Sequence, residues 1–501
     1  MKLNNLLHKL YGTNPEDKSS LQPKEALAYG VTGFGQNFIC TIIGSYITIF
    51  MTDALHFGSI EKGGMFGAID GAMAVAFLML GVRIFDAFND PIMGSIVDRT
   101  RTKWGKCRPF LKWMAIPIAI MTIACFIPLP AKTLSTFVII AALYTLWSVA
   151  YTVADVPYWG LSTCMTNDTV VRGNLLTITR LLCTLGAGLV TVGVPIITSA
   201  VTAKFRDADG NVMPEFIQAN ADTLKYTYFI CAIVFTVVAI PMFFYGFKHT
   251  KERFTTTDAP PSLGHNLKLL FKNKELLLVV ISGVLGGARM VYTYTGGLYF
   301  AKYVLKDEGL YGLITLMVVP GGLVASILVP WMSKKFTKKW AYIGVHVLGA
   351  VVMFAMYFIG YDAPWKLAVC AIGLVLLGIP QGVNNIITYA MIGDTVDYLE
   401  WKTGERGEGI CFAMQTLINK VGMAVGAFVG VMAFSWAKIN PEATPAITPE
   451  GEQTLWNVLI LAGALSMVGT IIPMLFYTIT EKRQAEMVAE IAARKEAAKA
   501  E

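Results

Sequence analysis

Val82-Arg83-Ile84-Phe85-Asp86-Ala87-Phe88-Asn89-Asp90-Pro91 places two aspartates one helical turn apart inside the apolar run 70–97. A charge at bilayer depth costs about 2.5–3.5 kcal/mol even on lenient insertion scales. Two carboxylates at i and i+4 share a helix face, so their repulsion adds to that cost. A cation must compensate them: a basic side chain, a proton or a metal ion.

Working outward, 55% of the 501 residues are hydrophobic and only 15% charged. Soluble domains carry about 25% charged residues, and the mean hydropathy of +0.56 points the same way. The composition is that of an all-α polytopic membrane protein. Its net charge of +7 lies in short loops between apolar runs, a positive-inside pattern and not a nucleic-acid surface. Residues 1–25 are polar and no small-residue cleavage site follows the first apolar run, so no removable signal peptide is expected. The eight cysteines show no paired spacing and read as packing residues, not as a disulfide or zinc framework.

Runs of about 20 apolar residues predict twelve spans: 26–52, 70–97, 110–130, 136–165, 174–200, 224–246, 276–304, 309–332, 341–361, 366–395, 410–437 and 456–479. Basic residues divide 28 against 9 between alternate sides, which predicts cytoplasmic termini. The expected organisation is a cytoplasmic segment 1–25, a six-helix half 26–247, a linker 248–275, a second six-helix half 276–480 and a cytoplasmic tail 481–501. A weak echo between Asp98-Arg99-Thr100-Arg101-Thr102-Lys103-Trp104 and Lys334-Lys335-Phe336-Thr337-Lys338-Lys339-Trp340 favours duplication. Two equivalent halves around a central site is transporter architecture.

Asp86, Asn89 and Asp90 offer oxygens along one face, as a hard cation such as Na⁺ requires. Pro91 frees the Ala87 carbonyl as a further acceptor. Arg83 pairing with Asp86 in a buried structural cluster is the alternative. In the fourth span Tyr151, Asp155 and Trp159 stand at i, i+4 and i+8, a carboxylate for sugar hydroxyls beside an indole for a pyranose face. The alternative there is an interfacial Trp159 and a buried Asp155–Arg180 pair, and the two readings are compatible. Lys420 interrupts the eleventh span and needs an anion, with Asp86 and Asp90 the candidates. Arg101, Lys106, Arg108 and Arg172 on one half, with Asp394, Asp397, Glu400 and Arg406 on the other, suggest a cytoplasmic gate. Solvated loop charge is the plainer account, since exposed pairs are individually weak.

These stretches, with Arg101 through Phe110, Asp155-Val156-Pro157-Tyr158-Trp159 and Asp394 through Ile410, resemble the glycoside–pentoside–hexuronide:cation symporters of the major facilitator superfamily. The likeness runs from about Tyr29 to the end of span twelve. It implies the major facilitator fold and a cation site of Asp86, Asn89, Asp90 and Thr152, with Lys420 and Thr416 beside it. Asp86 and Asp90 would be the metal ligands if the ion is Na⁺. It also implies sugar contacts at Asp155, Trp159 and Arg180, flanked by Tyr151. Gly35-Gln36-Asn37-Phe38 replaces a lysine and a sugar-binding aspartate of the melibiose permease, a member of that family. Gln36 and Asn37 are the corresponding sugar contacts here; Asn37 keeps both a donor and an acceptor but brings no charge.

Arg289 in the seventh span is unexpected for a neutral galactoside. It is read as a contact to an acidic sugar, as a contact to a neutral sugar, or as held by Asp70 or helix-end carbonyls. The expected protein is an inner-membrane symporter, monomeric, importing a sugar or glycoside with Na⁺ or H⁺ by alternating access. It uses no cofactor, binds no nucleic acid and breaks no bond; no Walker A pattern provides for ATP drive. The alternative is a carrier of the same fold for a non-sugar solute such as a lysolipid or drug.

Overall fold

The computed structural model describes residues 11, 13, 21–166, 168–254, 263–405 and 408–500. Helices account for the architecture. Eleven helices among the described residues are long and apolar enough to cross a membrane. The third expected span is the exception, a helix of 17 residues, Arg108–Ala124. Pro128 and Pro130 follow it, and proline removes the amide that would extend the helix.

The chain forms two units, one of Met1–Pro260 with Lys306–Gly309 and Asn440–Ala446, the other of Pro261–Leu305, Leu310–Ile439 and Ile447–Glu501. The first contains α1 (Pro23–Ile49), α2 (Gly71–Arg99), α3 (Arg108–Ala124), α4 (Leu134–Met165), α5 (Thr169–Thr202) and α6 (Ile217–His249). The second contains α7 (Leu263–Lys272), α8 (Lys274–Leu285), α9 (Thr295–Tyr299), α10 (Leu310–Ile359), α11 (Pro364–Thr403), α12 (Glu408–Trp436), α13 (Pro449–Leu475) and α14 (Glu481–Ala500). Spans eight and nine run together in α10, broken at Thr337, whose φ is +62°. The segment expected as a linker includes α7, and α14 occupies the tail.

Side chains cap the helices where the sequence has short polar residues. Asp70 accepts from Met73 N at 2.8 Å ahead of α2, and Asn273 accepts from Leu276 N at 3.2 Å ahead of α8. Each satisfies one of the orphan donors of a first turn. Phe88, Ile327 and Phe358 are 71%, 78% and 81% exposed, the reverse of a soluble fold. Such rings and branched chains face lipid, while the backbone is satisfied within helices. Small residues let helices of the second unit meet closely. A Cβ on Gly321 of α10 would lie 1.8 Å from the Val375 carbonyl oxygen of α11.

The duplication reaches details that the sequence echo does not display. Each half's first span ends in a π-turn, Phe50–Ala54 and Phe300–Val304. Each π-turn is followed two residues later by a left-handed residue, His56 and Lys306. At the opposite end an acid at the start of the span is tied to the segment leaving the unit's last span. Glu25 pairs with Arg253 at 2.8 Å. Glu275 accepts from Thr478 N at 2.9 Å. A second acid ties the loop between the second and third spans of each unit. Glu252 accepts from the amides of Lys106, Cys107 and Arg108 at 2.7–2.9 Å, and Glu481 accepts from Lys338 N at 2.6 Å.

Gly105 makes the first of these clasps possible. Its φ is +108°, and a Cβ there would fall 2.3–2.5 Å from the Glu252 carboxyl atoms. Gly105→Ala should therefore lower stability by about 1–3 kcal/mol, read as a fall in unfolding temperature of the detergent-solubilised protein. An unchanged temperature would show that the clasp contributes nothing to stability.

Candidate functional site

Helices α2 and α4 meet in matching register. Asp86 and Asp90 are one turn apart on α2, and Ser148 and Thr152 are one turn apart on α4. The Ser148 hydroxyl donates to Asp86 Oδ1, and the Thr152 hydroxyl donates to Asp90 Oδ1 at 3.2 Å. Arg83 lies 3.5 Å from Asp86 Oδ2, so the basic side chain considered for this cluster does neighbour one of the two carboxylates. Asp86 is buried, and Asn89 between the aspartates has a buried Nδ2 without a partner. Unpaired polar atoms are costly in a low-dielectric surrounding. The two helices thus gather two carboxylates, two hydroxyls and an amide within about one helical turn.

The next face of α4 carries the second cluster. Asp155, 9% exposed, accepts at Oδ1 from Gln36 Nε2 at 2.5 Å and from Trp159 Nε1 at 3.0 Å. Gln36 also reaches the Tyr151 hydroxyl at 3.4 Å. The Arg180 guanidinium lies 4.3 Å from the centre of the Trp159 ring, a cation–π arrangement. Tyr151 stacks on Trp147 at 5.1 Å. Asn37 gives its amide to the Gly33 carbonyl one turn back, at 2.9 Å. Carboxylate, indole and guanidinium together offer acceptors, a flat apolar face and donors, the chemistry of a sugar site.

In the second unit the seventh span is interrupted. Residues Gly286–Thr293 form a tight 3-10 segment, Met290 departs from helical angles, and α9 restarts at Thr295. Interrupted membrane helices expose backbone groups where transporters bind their solutes. Some of the freed carbonyls are recaptured: Ser466 donates to Leu285 O at 2.6 Å, and Tyr311 donates to Thr293 O at 2.8 Å. Arg289 sits in the break, giving Nη1 to Gly286 O at 2.8 Å, while its buried Nε has no partner. A helix-end carbonyl was one of its expected partners; the Asp70 carboxylate caps α2. Tyr342 and His346 meet with tilted rings, their centroids 4.2 Å apart, in the same unit. Lys420 is half-buried on α12, and Thr416, one turn earlier, is exposed. On the same helix Gln415 donates to Asn419 at 3.2 Å.

The residues expected as a gate lie at helix ends. Arg108 donates to the carbonyls of Phe247 at 2.7 Å and Trp104 at 3.4 Å. Lys106 is held through its amide by Glu252, Arg101 donates to Thr100 O at 3.0 Å, and the Arg172 amide bonds Asp168 O at 2.9 Å. In the second unit Asp394 pairs with Lys338, Asp397 accepts from Gln484 at 3.1 Å, and Glu400 is buried. Arg406 lies outside the described residues.

The family model for MFS/sugar transport proteins matches residues 28–481. The chain belongs to that family, among the glycoside–pentoside–hexuronide:cation symporters. The symporter is 29% identical over 427 residues to the glucuronide carrier protein homolog of Escherichia coli, covering 85% of this chain and 88% of the relative. It is 26% identical to the isoprimeverose transporter of Lactiplantibacillus pentosus, over 95% and 92%. It is 27% identical to a putative sulfoquinovose importer of Escherichia coli, over 95% of each chain. Among solved structures a D-xylose–proton symporter superposes with a TM-score of 0.57 at 13% identity, over 89% of this chain and 96% of that one. A nucleoside transporter reaches 0.61, also at 13%, over 91% and 100%. These two show the fold alone, that of the major facilitators. The symporter is thus a multi-pass membrane protein that carries a sugar or glycoside.

Two features escaped the sequence reading. Ser148 is one of the hydroxyls facing the aspartates; its place one turn before Thr152 was the available signal. The break in span seven was signalled by Gly286-Gly287 and Gly296-Gly297, which flank it.

Proposed function

We propose that the symporter imports its sugar with a monovalent cation, Na⁺ or H⁺, and that helix α4 couples the two. The observation that supports this most directly is that α4 presents Ser148 and Thr152 to the carboxylates of α2 and Asp155 and Trp159 to Gln36 and Arg180. A cation drawn to Asp86, Asn89, Asp90 and Thr152 changes the set of α4 beside them. That set also fixes the sugar contacts. Coupling of this kind is reciprocal, so sugar must tighten cation binding by the factor that the cation tightens sugar. Lys420 and Thr416 serve the cation step, and the charged helix ends serve as the cytoplasmic gate. The ion gradient supplies the work, the solute is released unaltered, no cofactor takes part, and the monomer is the working unit. Both termini lie in the cytoplasm, on the side of the 28 basic loop residues.

Uptake into membrane vesicles of labelled galactosides, xylosides and glucuronides tests this, under a sodium gradient, a proton gradient or neither. One gradient should drive accumulation of at least one sugar. Equal uptake under all three conditions would remove the coupling.

Arg289 favours an acidic sugar within this class, because its buried Nε has no partner and a carboxylate accepts a guanidinium through two parallel bonds. The glucuronide carrier homolog and the sulfoquinovose importer among the relatives bear names of acidic sugars. A glucuronide should then displace the labelled solute about tenfold better than the matching glucoside, a difference of about 1.4 kcal/mol. Arg289→Gln should erase that preference. Equal competition by the two in the unaltered protein rules the acidic sugar out.

A further inference from the structure

Cys107 and Cys164 are 57 positions apart in the chain, and nothing in their spacing pairs them. The fold brings them together. Their sulfurs and a Glu252 carboxylate oxygen all lie within 4.8 Å of one another, and both thiols are free. The side chains are 1% and 2% exposed. Cys107 precedes α3 and Cys164 ends α4, so the pair joins the loop of the clasp to the helix that carries the sugar contacts. The main chain around them is fixed to a single segment. Glu252 accepts from the Cys107 amide at 2.8 Å, and the Cys164 carbonyl accepts from Arg253 N at 2.8 Å and Phe254 N at 3.0 Å. A Cβ on Gly160 would stand 3.6 Å from the Cys107 sulfur, which places that thiol against the last turn of α4.

A metal is the poorer occupant of this triad. Glu252 already accepts three amide bonds, two at one oxygen and one at the other. Losing them would leave three amides unpaired, each at about 1–3 kcal/mol. The thiols carry no such commitment.

We infer that Cys107 and Cys164 form a redox-active dithiol, closed to an intramolecular disulfide by a small hydroperoxide. The adjacent Cys164 sulfur, burial and the neighbouring Glu252 carboxylate hold the Cys107 thiol protonated above the ordinary thiol range. Cys164 is therefore the attacking sulfur. Its thiolate attacks the terminal peroxide oxygen, the O–O bond breaks, and the departing hydroxide or alkoxide takes up a proton. The Cys107 sulfur then attacks the sulfenic sulfur as its proton leaves, the S–O bond breaks, and hydroxide departs as water. Two thiols and hydrogen peroxide become one disulfide and two waters, the protein losing two electrons to the peroxide. A hydroperoxide as small as hydrogen peroxide suits thiols this deeply buried, since no bulky adduct needs room. The bond ties the loop after α2 to α4 and limits the rearrangement of that end of the unit.

The test uses the full-length protein in detergent, exposed to hydrogen peroxide, with thiols counted by maleimide mass shift and links mapped by peptide mass spectrometry. Two of the eight thiols should disappear, a peptide joining Cys107 to Cys164 should appear, and dithiothreitol should restore both thiols. The unfolding temperature should rise by about 3 °C on oxidation, as expected for a loop-closing crosslink, and fall again on reduction. Cys107→Ser and Cys164→Ser should each lack both the link and the rise. The inference is overturned if all eight thiols remain alkylatable, or if the mapped link joins other cysteines. It is also overturned if the rise in temperature persists in the serine variants. None of these readouts requires the transported sugar to be known, so they stand apart from the coupling reading.

Discussion

Asp90→Asn vesicles should equilibrate the labelled sugar and fail to concentrate it, with accumulation down at least tenfold under the gradient that drives the unaltered protein. Asparagine keeps the acceptor for the Thr152 hydroxyl at nearly the same place, so packing between α2 and α4 survives. What is lost is the charge. A cation held by a carboxylate in a low-dielectric layer depends on that charge, and coupling free energies of about 1–3 kcal/mol correspond to 5–150-fold changes in affinity. Asp86→Asn should give the same phenotype with a smaller deficit, since Arg83 at 3.5 Å already offsets part of the Asp86 charge. Sugar-driven exchange without a gradient should persist in both. Full concentrative uptake in both variants would make the pair structural.

Asp155→Ala has the second large effect, loss of sugar binding by about 100-fold with normal abundance in the membrane. Asp155 accepts from Gln36 and Trp159, so its removal frees both donors as well as deleting an acceptor for sugar hydroxyls. Hydrogen bonds to charged groups contribute about 1.5–3 kcal/mol each, and about 2.8 kcal/mol is 100-fold. Trp159→Phe keeps a flat ring under Arg180 but drops the Nε1 bond, and should weaken binding about tenfold. Gln36→Ala provides the control for positioning: with its Nε2 gone, Asp155 loses one of its tethers, and affinity should fall less than in Asp155→Ala. Binding of a labelled sugar to purified protein, by equilibrium dialysis, separates these cases. Unchanged affinity in Asp155→Ala would remove the residue from the site.

The fold was legible because lipid imposes a strong constraint on sequence. An apolar run of about 20 residues has few ways to satisfy its backbone other than a helix, so the runs announced the spans, although the third, expected over 110–130, ends as a helix at Ala124. The aspartates of α2 were legible for the converse reason: a carboxylate within such a run is costly and calls for a use. The Tyr151, Asp155 and Trp159 face followed from helical periodicity alone.

Other features depend on which helix lies beside which, and no local pattern encodes that. Ser148 and Thr152 are ordinary hydroxyls until α2 is laid against α4 in a register that sets each against an aspartate. Gln36 became the tether of Asp155 only through the packing of α1 on α4, 119 positions away. No pattern in the sequence singles out Glu252, yet it gathers three amides of a distant loop. Cys107 and Cys164 had no spacing to betray them, and their sulfurs meet because that same clasp brings the start of α3 to the end of α4. The sequence by itself determined the helices and the charges that the membrane makes costly. Tertiary structure alone decided the partners, because a hydrogen bond or a thiol contact depends on distances of a few ångströms between segments that the chain order leaves far apart.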